Sequence, residues 1–282
     1  MNFSRNGVSK VEKGLFEVYH PPRPGKPALI VSWQNHDVGK LGSKATDFLN
    51  EKLGGREIAE IKPPGFFPFG GAVFKDDLLQ FPESKFWACD KSDLLVFRSE
   101  KPKYECYKFL NAVLDFSEYY CHIRELYTIS GTISLSAHTT PRRILAVYNQ
   151  PEFQTTLQDY GLADMTWQGP PAMSSYLLWV AQRRGIPGVS LWPEIPFYLA
   201  SREDPAAIKR TLSFLDSRFS LGLDLEEFDL KIGNQNERIA RLRSENAEIN
   251  EYINQLESGL TLNEEEQVKL ARAVYELLEP DS

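Results

Sequence analysis

Short apolar runs alternate with amphipathic helical stretches along most of the 282 residues, which predicts an α/β fold with a mainly parallel sheet covered on both faces by helices. Three observations carry this expectation. The run ALIVSW, Ala28 to Trp33, has the length and apolarity of a buried strand. Leu41, Ala45, Phe48, Leu49 and Leu53 then recur at spacings of three and four, which gives a helix one apolar face. The same strand-then-helix change of period repeats at LLVFR, ILAVY and GVSLW further along.

Taken in order, the turn-rich HPPRPGKP (His20 to Pro27) leads into the first strand, and Gly54-Gly55 stop the helix that follows it. EIAEI (Glu57 to Ile61) reads as a strand, with a hairpin around GAVF and KFWAC. LLVFR (Leu94 to Arg98) precedes a long helix from about Tyr104 to His122. ELYTISG and ILAVY (Ile144 to Tyr148) continue the sheet, with helices near Phe153 to Tyr160 and Met173 to Arg184, the latter led in by Pro170-Pro171. After the strand GVSLW (Gly188 to Trp192), Asp204-Pro205 opens a helix to about Phe219, with proline at the first turn, where its missing N–H costs nothing.

Beyond Leu225 the strands stop. Ile232, Ile239, Ile253 and Leu260 fall on one heptad position and Leu242, Ile249 and Leu256 on the other, interrupted by Gln235 and Asn246. SGLTLN breaks this helix, and Asn263 caps a second one with an acidic first turn, from Glu264 to about Glu279. The chain therefore divides into an α/β core, residues 1–228, and a helical appendage, residues 229–282. In a parallel pair Arg238 would face the partner's Arg243, so an intramolecular helical hairpin is favoured, with a coiled coil between chains as the alternative. The candidate interface comprises Ile239, Leu242, Asn246, Ile249, Ile253 and Leu256, together with Phe197 and Tyr198 of an aromatic-proline loop.

Composition narrows the function classes. Hydrophobic residues make up 42% and charged residues 25%, the profile of a folded soluble chain. No stretch approaches the roughly 20 apolar residues of a bilayer span, and MNFSRNGVSKVEKG lacks the apolar centre of a secretory signal, so a cytoplasmic location is expected. Cys89, Cys106 and Cys121 are odd in number and far apart, which suggests neither disulfides nor a zinc site. The net charge of -7 argues against nucleic acid or an anionic membrane as partner. From Leu230 onward eleven acids stand against six Lys or Arg, about -5 of that total.

Two loops are candidates for a ligand pocket. QNHDVGKLGSKA contains Asn35, His36, Asp37, Gly39 and Gly42 at a strand-to-helix turn, but neither GxxxxGK[ST] nor GxGxxG is present. A helix N-terminus there could hold an anion; the plainer reading is that Asn35 and Asp37 form a turn and cap while the glycines permit close packing. SAHTTPRR places His138, Thr139 and Arg142 before a strand, and a pocket shared by His36 and His138 is one possible site for acid–base or phosphate chemistry. Glu194, between prolines at a strand end, has no identifiable acid or base partner and reads as a loop polar group. No catalytic constellation, metal site or cofactor motif emerges.

The order of ALIVSW with QNHDVGKLGSKA, LLVFRSEKP, TISGT, HTTPRR, QGPPAMSSYLL, RRGIPGVSLWPEIPFYLA and DPAAIKRTLSFLDSRFSLGLDLEEF resembles the family of the second proteasome assembly chaperone and its archaeal and bacterial relatives. The likeness spans about Ala28 to Phe228, and the helical tail is similar to that of bacterial members. It implies a three-layer α/β/α domain with a topology like that of nucleoside phosphorylases, a tendency to self-associate and no established catalytic residues. Family members that dock on proteasomes do so in some cases through a C-terminal hydrophobic-Tyr-any-residue tail; here the printed chain ends Glu279-Pro280-Asp281-Ser282. The expectation is a non-enzymatic, assembly-chaperone-like scaffold with itself and protein clients as partners. The alternative is a small-molecule-binding protein or enzyme that uses a loop pocket of the phosphorylase-like fold.

Overall fold

In the computed structural model, which describes residues 13–21, 25–35, 37–68, 73–75, 78–89, 91–166 and 172–279, a ten-stranded sheet runs through the core. Its centre is β2 (Ala28–Trp33), whose six residues are all buried. β2 pairs in parallel with β7 (Leu94–Ser99) on one side and β8 (Glu125–Ile129) on the other, and β8 pairs in parallel with β12 (Gly188–Pro196). Both margins turn antiparallel. On one side β7 is followed by β6 (Ser84–Cys89), β3 (Gly55–Ile61) and β1 (Phe16–Val18); on the other β12 is followed by β10 (Ile144–Tyr148), which carries the two-residue β11 (Ala163–Asp164). β9 (Thr132–Ser134) adds to the far half of β12.

Alternation along β2 explains the three layers. Successive side chains point to opposite faces, so Ala28 and Ile30 enter one apolar cluster while Leu29, Val31 and Trp33 enter the other. The first face is covered by α1 (Leu41–Leu53), α3 (Phe153–Asp159) and α5 (Pro205–Phe219), the second by α2 (Cys106–Tyr119) and α4 (Met173–Arg183). Gly54 ends α1 at φ 68°, a left-handed conformation that favours glycine. Asp204 starts α5 by accepting from Ala206 N and Ala207 N.

The antiparallel margins refine the expected connectivity. GAVF does not form a hairpin with KFWAC: β4 (Val73–Lys75) pairs with β5 (Leu78–Gln80), while KFWAC lies in β6 between β3 and β7. GVSLW runs on through Pro196, so Glu194 stands within a strand rather than in a loop. The reason is β9, which offers the far half of β12 a second partner after pairing with β10 ends at Pro193.

The heptad segment is two helices. α6 (Glu226–Glu245) and α7 (Ala247–Glu257) meet at Asn246, which has extended backbone, φ -132° and ψ 103°, and caps α7 by accepting from Glu248 N and Ile249 N. Asn246 is therefore a cap and not a polar residue in a pairing seam. Arg243 holds the break: Nε donates to Asn250 Oδ1 at 3.0 Å, Nη2 to Asn254 Oδ1 at 2.7 Å, and Nη1 and Nη2 to the Glu257 carboxylate at 2.9 and 3.1 Å. α8 (Glu264–Leu277) begins at Asn263 with a reciprocal capping box to Glu266 and packs on α6, α7 and the 3-10 turn Phe197–Leu199.

Ile239, Ile249, Ile253 and Leu256 are buried within the chain, in the same cluster as α1 and α5, and Leu242 and Phe197 pack against it. Tyr198 is likewise buried. The apolar stripe that resembles a coiled-coil seam finds its partner in α8 and the α/β layer, where Phe228 packs tilted against Phe48 at 5.1 Å between centroids. Leu260, which continues the heptad on paper, is 59% exposed because the helix has already ended.

Two substitutions separate this arrangement from an intermolecular seam. Ile253→Ala removes a fully buried side chain and is expected to cost about 2–5 kcal/mol, and Asn246→Ala removes a cap and is expected to cost about 1 kcal/mol. Urea unfolding at two protein concentrations checks both, since a loss inside one chain lowers the midpoint by the same amount relative to the unmodified protein at either concentration.

Candidate functional site

The parallel strands at the centre of the sheet point the same way, so their carboxyl ends converge. Both neighbours of β2 follow it in the chain: β7 lies on one side, the connection through α2 crosses to β8 on the other, and such a switch point opens a crevice. Here it is a cleft of about 90 Å³ lined by Trp33, Asn35, Asp37, Lys101, Ile129, Ser130, Gly131, Trp192 and the first residues of α4, Ala172 to Ser174.

The loop after β2 is tied down on every side. Asp37 Oδ1 accepts from Gly42 N at 2.7 Å, and Oδ2 accepts from Ser43 N at 2.8 Å and Ser43 Oγ at 2.6 Å. Burial pushes the Asp37 carboxyl up, against the pull of those donors. Asn35 Oδ1 accepts from Lys101 N at 2.8 Å, and its Nδ2 donates to Glu100 Oε2 at 3.2 Å. The glycines serve close approach. A Cβ on Gly39, which sits at φ 65°, would lie 2.7 Å from Ile195 Cδ1, and one on Gly42 would lie 3.1 Å from Ser32 Cβ. His36 lies outside the described residues.

Deeper in the cleft, the Trp33 indole donates to Ser174 Oγ at 3.1 Å, and Ser174 and Ser130 share a hydroxyl hydrogen bond at 2.9 Å. Burial lowers the Lys101 ammonium, while the charge of Asp37 raises it.

The second loop does not open into this cleft, whose lining includes none of His138, Thr139 and Arg142. The chain after β9 turns toward Tyr198 and α7. His138 N donates to Tyr198 Oη at 2.6 Å, and His138 Nδ1 is 2.9 Å from the same oxygen. Which of the two donates in this second contact depends on the imidazole tautomer. Burial lowers the His138 pKa to about 4, so at neutral pH it carries no charge.

Arg142 is buried beside it and forms an ion pair with wholly buried Asp204, Nε to Oδ2 at 2.8 Å. Its Nη1 donates to the carbonyls of His138 at 3.1 Å and Thr140 at 2.7 Å. Thr139 Oγ1 donates to Glu257 Oε1 at 3.0 Å, which ties this loop to α7. Glu194 is paired with Arg143 at 2.6 and 3.0 Å. Among the described residues no group of three His, Cys, Asp or Glu side chains could hold a metal ion. No helix of the described chain is long and apolar enough to cross a membrane.

Lys101, Ser130, Ser174 and Trp192 were not singled out by sequence reasoning. Lys101 and Ser130 stand just past strand ends, Ser174 at the start of a helix and Trp192 within β12, positions that become a usable signal only once the strand order is known.

Two outcomes follow from the His138 cluster. Asp204→Ala leaves Arg142 charged and unpaired and removes the α5 cap, and urea unfolding is expected to show a loss of about 3–5 kcal/mol. His138 has a depressed pKa in the folded chain, so its contribution is complete above the ordinary histidine value and declines as pH falls toward about 4. In His138→Gln the fall in stability between about pH 6.5 and pH 4 is expected to shrink by about 3 kcal/mol, read from urea midpoints across that range.

Comparison with known proteins places this geometry. No curated protein sequence matches the chain. Among solved structures, it is similar to a Corynebacterium glutamicum protein of unknown function, at 19% identity and a TM-score of 0.75, with 87% of this chain and 96% of that one covered. A proteasome-assembly chaperone homologue from Mycobacterium tuberculosis is 17% identical with a TM-score of 0.70, over 80% of this chain and 99% of that one. Pyrococcus furiosus PbaB, an archaeal proteasome activator, is 19% identical with a TM-score of 0.65, over 81% and 99%. These likenesses share the fold. The model of the PAC2 family matches residues 30–243, most of the sheet and its covering helices, and the chain therefore belongs to the PAC2 family.

Proposed function

We propose that this protein is a non-enzymatic, assembly-chaperone-like scaffold of the cytoplasm, an α/β body with a helical appendage, that self-associates and engages protein clients. The observation that carries the reading is a ledge of exposed aromatic side chains on the outer face of α2 and α4. Tyr107 and Trp179 are 58% and 45% exposed, and their ring centroids are 6.1 Å apart. Tyr104 and Tyr176 are exposed beside them in the chain, and the Arg183 guanidinium lies 5.0 Å from the centre of the Trp179 ring. Tyr, Trp and Arg are the residues enriched where proteins bind each other tightly.

The occupant this ledge fits is a second copy of the chain. A two-fold contact must be self-complementary, and a face that carries both exposed rings and a cation can place the guanidinium of each copy over the rings of the other. Membership of the PAC2 family supports a chaperone-like role, as do the likenesses to a chaperone homologue and a proteasome activator. No cofactor enters this role.

The mass of the native particle tests it. At micromolar concentration, light scattering is expected to give a multiple of the chain mass, and Trp179→Glu combined with Tyr107→Glu is expected to reduce it to a monomer that keeps the far-ultraviolet circular dichroism of the unmodified protein. A monomer in the unmodified protein, or an assembly that survives both substitutions, would count against the proposal.

A further inference from the structure

In the cleft past the carboxyl ends of β2 and β8, where the middle of β12 contributes Trp192, several side-chain acceptors are already engaged. The Asp37 carboxylate is engaged by three donors at the start of α1, Asn35 Oδ1 by Lys101 N, and Ser174 Oγ by the Trp33 indole. Two strong donors remain. The Lys101 ammonium has no hydrogen-bond or ion-pair partner among the described residues, and the charge that acts on it is that of Asp37. Trp192 lines the cleft, and its indole N–H is fully buried with no acceptor among the described residues. An indole nitrogen can only donate, and a buried donor left unmade costs about 1–3 kcal/mol.

α4 adds to these donors. Its first turn borders the cleft and begins at Ala172 with no side-chain cap, so backbone N–H groups and the positive end of the helix dipole face the same region.

We infer that this cleft binds a small oxyanion, the carboxylate or phosphate group of a metabolite, with Lys101 Nζ and Trp192 Nε1 as its donors. A volume of about 90 Å³ sets the size. Pockets for drug-sized ligands measure roughly 300–1,000 Å³, so the size of this cleft matches one anionic group with a short chain. Asp37 also borders the site, and the donors of Gly42 and Ser43 offset its charge. Binding here is independent of the aromatic ledge on α2 and α4.

The full-length protein, labelled with nitrogen-15 at its tryptophan indoles, is titrated with sodium acetate and separately with sodium phosphate, chloride holding the ionic strength constant. The resonance missing from the Trp192→Phe spectrum is expected to move saturably with one of the two salts. Movement with acetate assigns a carboxylate ligand, and movement with phosphate assigns a phosphate ester. Lys101→Met is expected to weaken binding about tenfold or more and Lys101→Arg to keep it; Lys101→Gln replaces the first variant if that one does not fold. A Trp192 resonance that neither salt moves, or a neutral Lys101 variant that binds like the unmodified protein, overturns the inference.

Discussion

The wholly buried carboxylate of Asp204 is the point at which separate parts of this chain are joined. Its oxygens accept from Ala206 N and Ala207 N, which starts α5, and from Arg142 Nε and Nη2, which holds the loop after β9. Its own backbone N donates to the Gly39 carbonyl at 3.0 Å, while Gly39 N donates to Ala200 O. Taking a carboxylate and a guanidinium out of water is costly unless their remaining capacity is used, and here it is: the Arg142 donors that do not reach Asp204 end on two carbonyls of their own loop. The same loop reaches α7 through Thr139 and Glu257, and Glu257 reaches α6 through Arg243. A chain of polar contacts therefore runs from the centre of the fold to the helical appendage, in parallel with the apolar packing.

That arrangement explains which features were legible in the sequence. ALIVSW, the helix at Leu41 and the Asp204-Pro205 start were readable because local chemistry alone decides them: a run of apolar residues, a period of three and four, a cap followed by proline. The break at Asn246 was not, because an asparagine in a heptad pattern serves equally as a polar seam residue or a cap, and only the partner of the stripe decides which. The partner is the α/β layer, a tertiary fact. The extension of β12 through Pro193 to Pro196 was hidden for a similar reason, since β9 supplies pairing that the sequence of β12 does not announce.

The candidate site was partly legible. Asn35 and Asp37 border the cleft, but what the loop shares with its neighbours depends on strand order, and strand order brings Lys101, Ser130 and Trp192 to it rather than His138. His138 and Arg142 were visible as a chemical cluster; their partners Tyr198 and Asp204 lie about sixty positions away in the chain. What reads as acid–base chemistry is a neutral imidazole and a neutralised ion pair inside the body.

The margins of the sheet bear on how such a molecule can assemble. Its outermost strands, β1 and β11, span three and two residues, so the rim offers too few unpaired backbone groups for another strand to add on. Fibrous growth by sheet extension is thereby disfavoured in the native fold. Under the proposed self-association, contact between copies would fall to helical faces, where rotational symmetry closes a particle at a finite number of subunits.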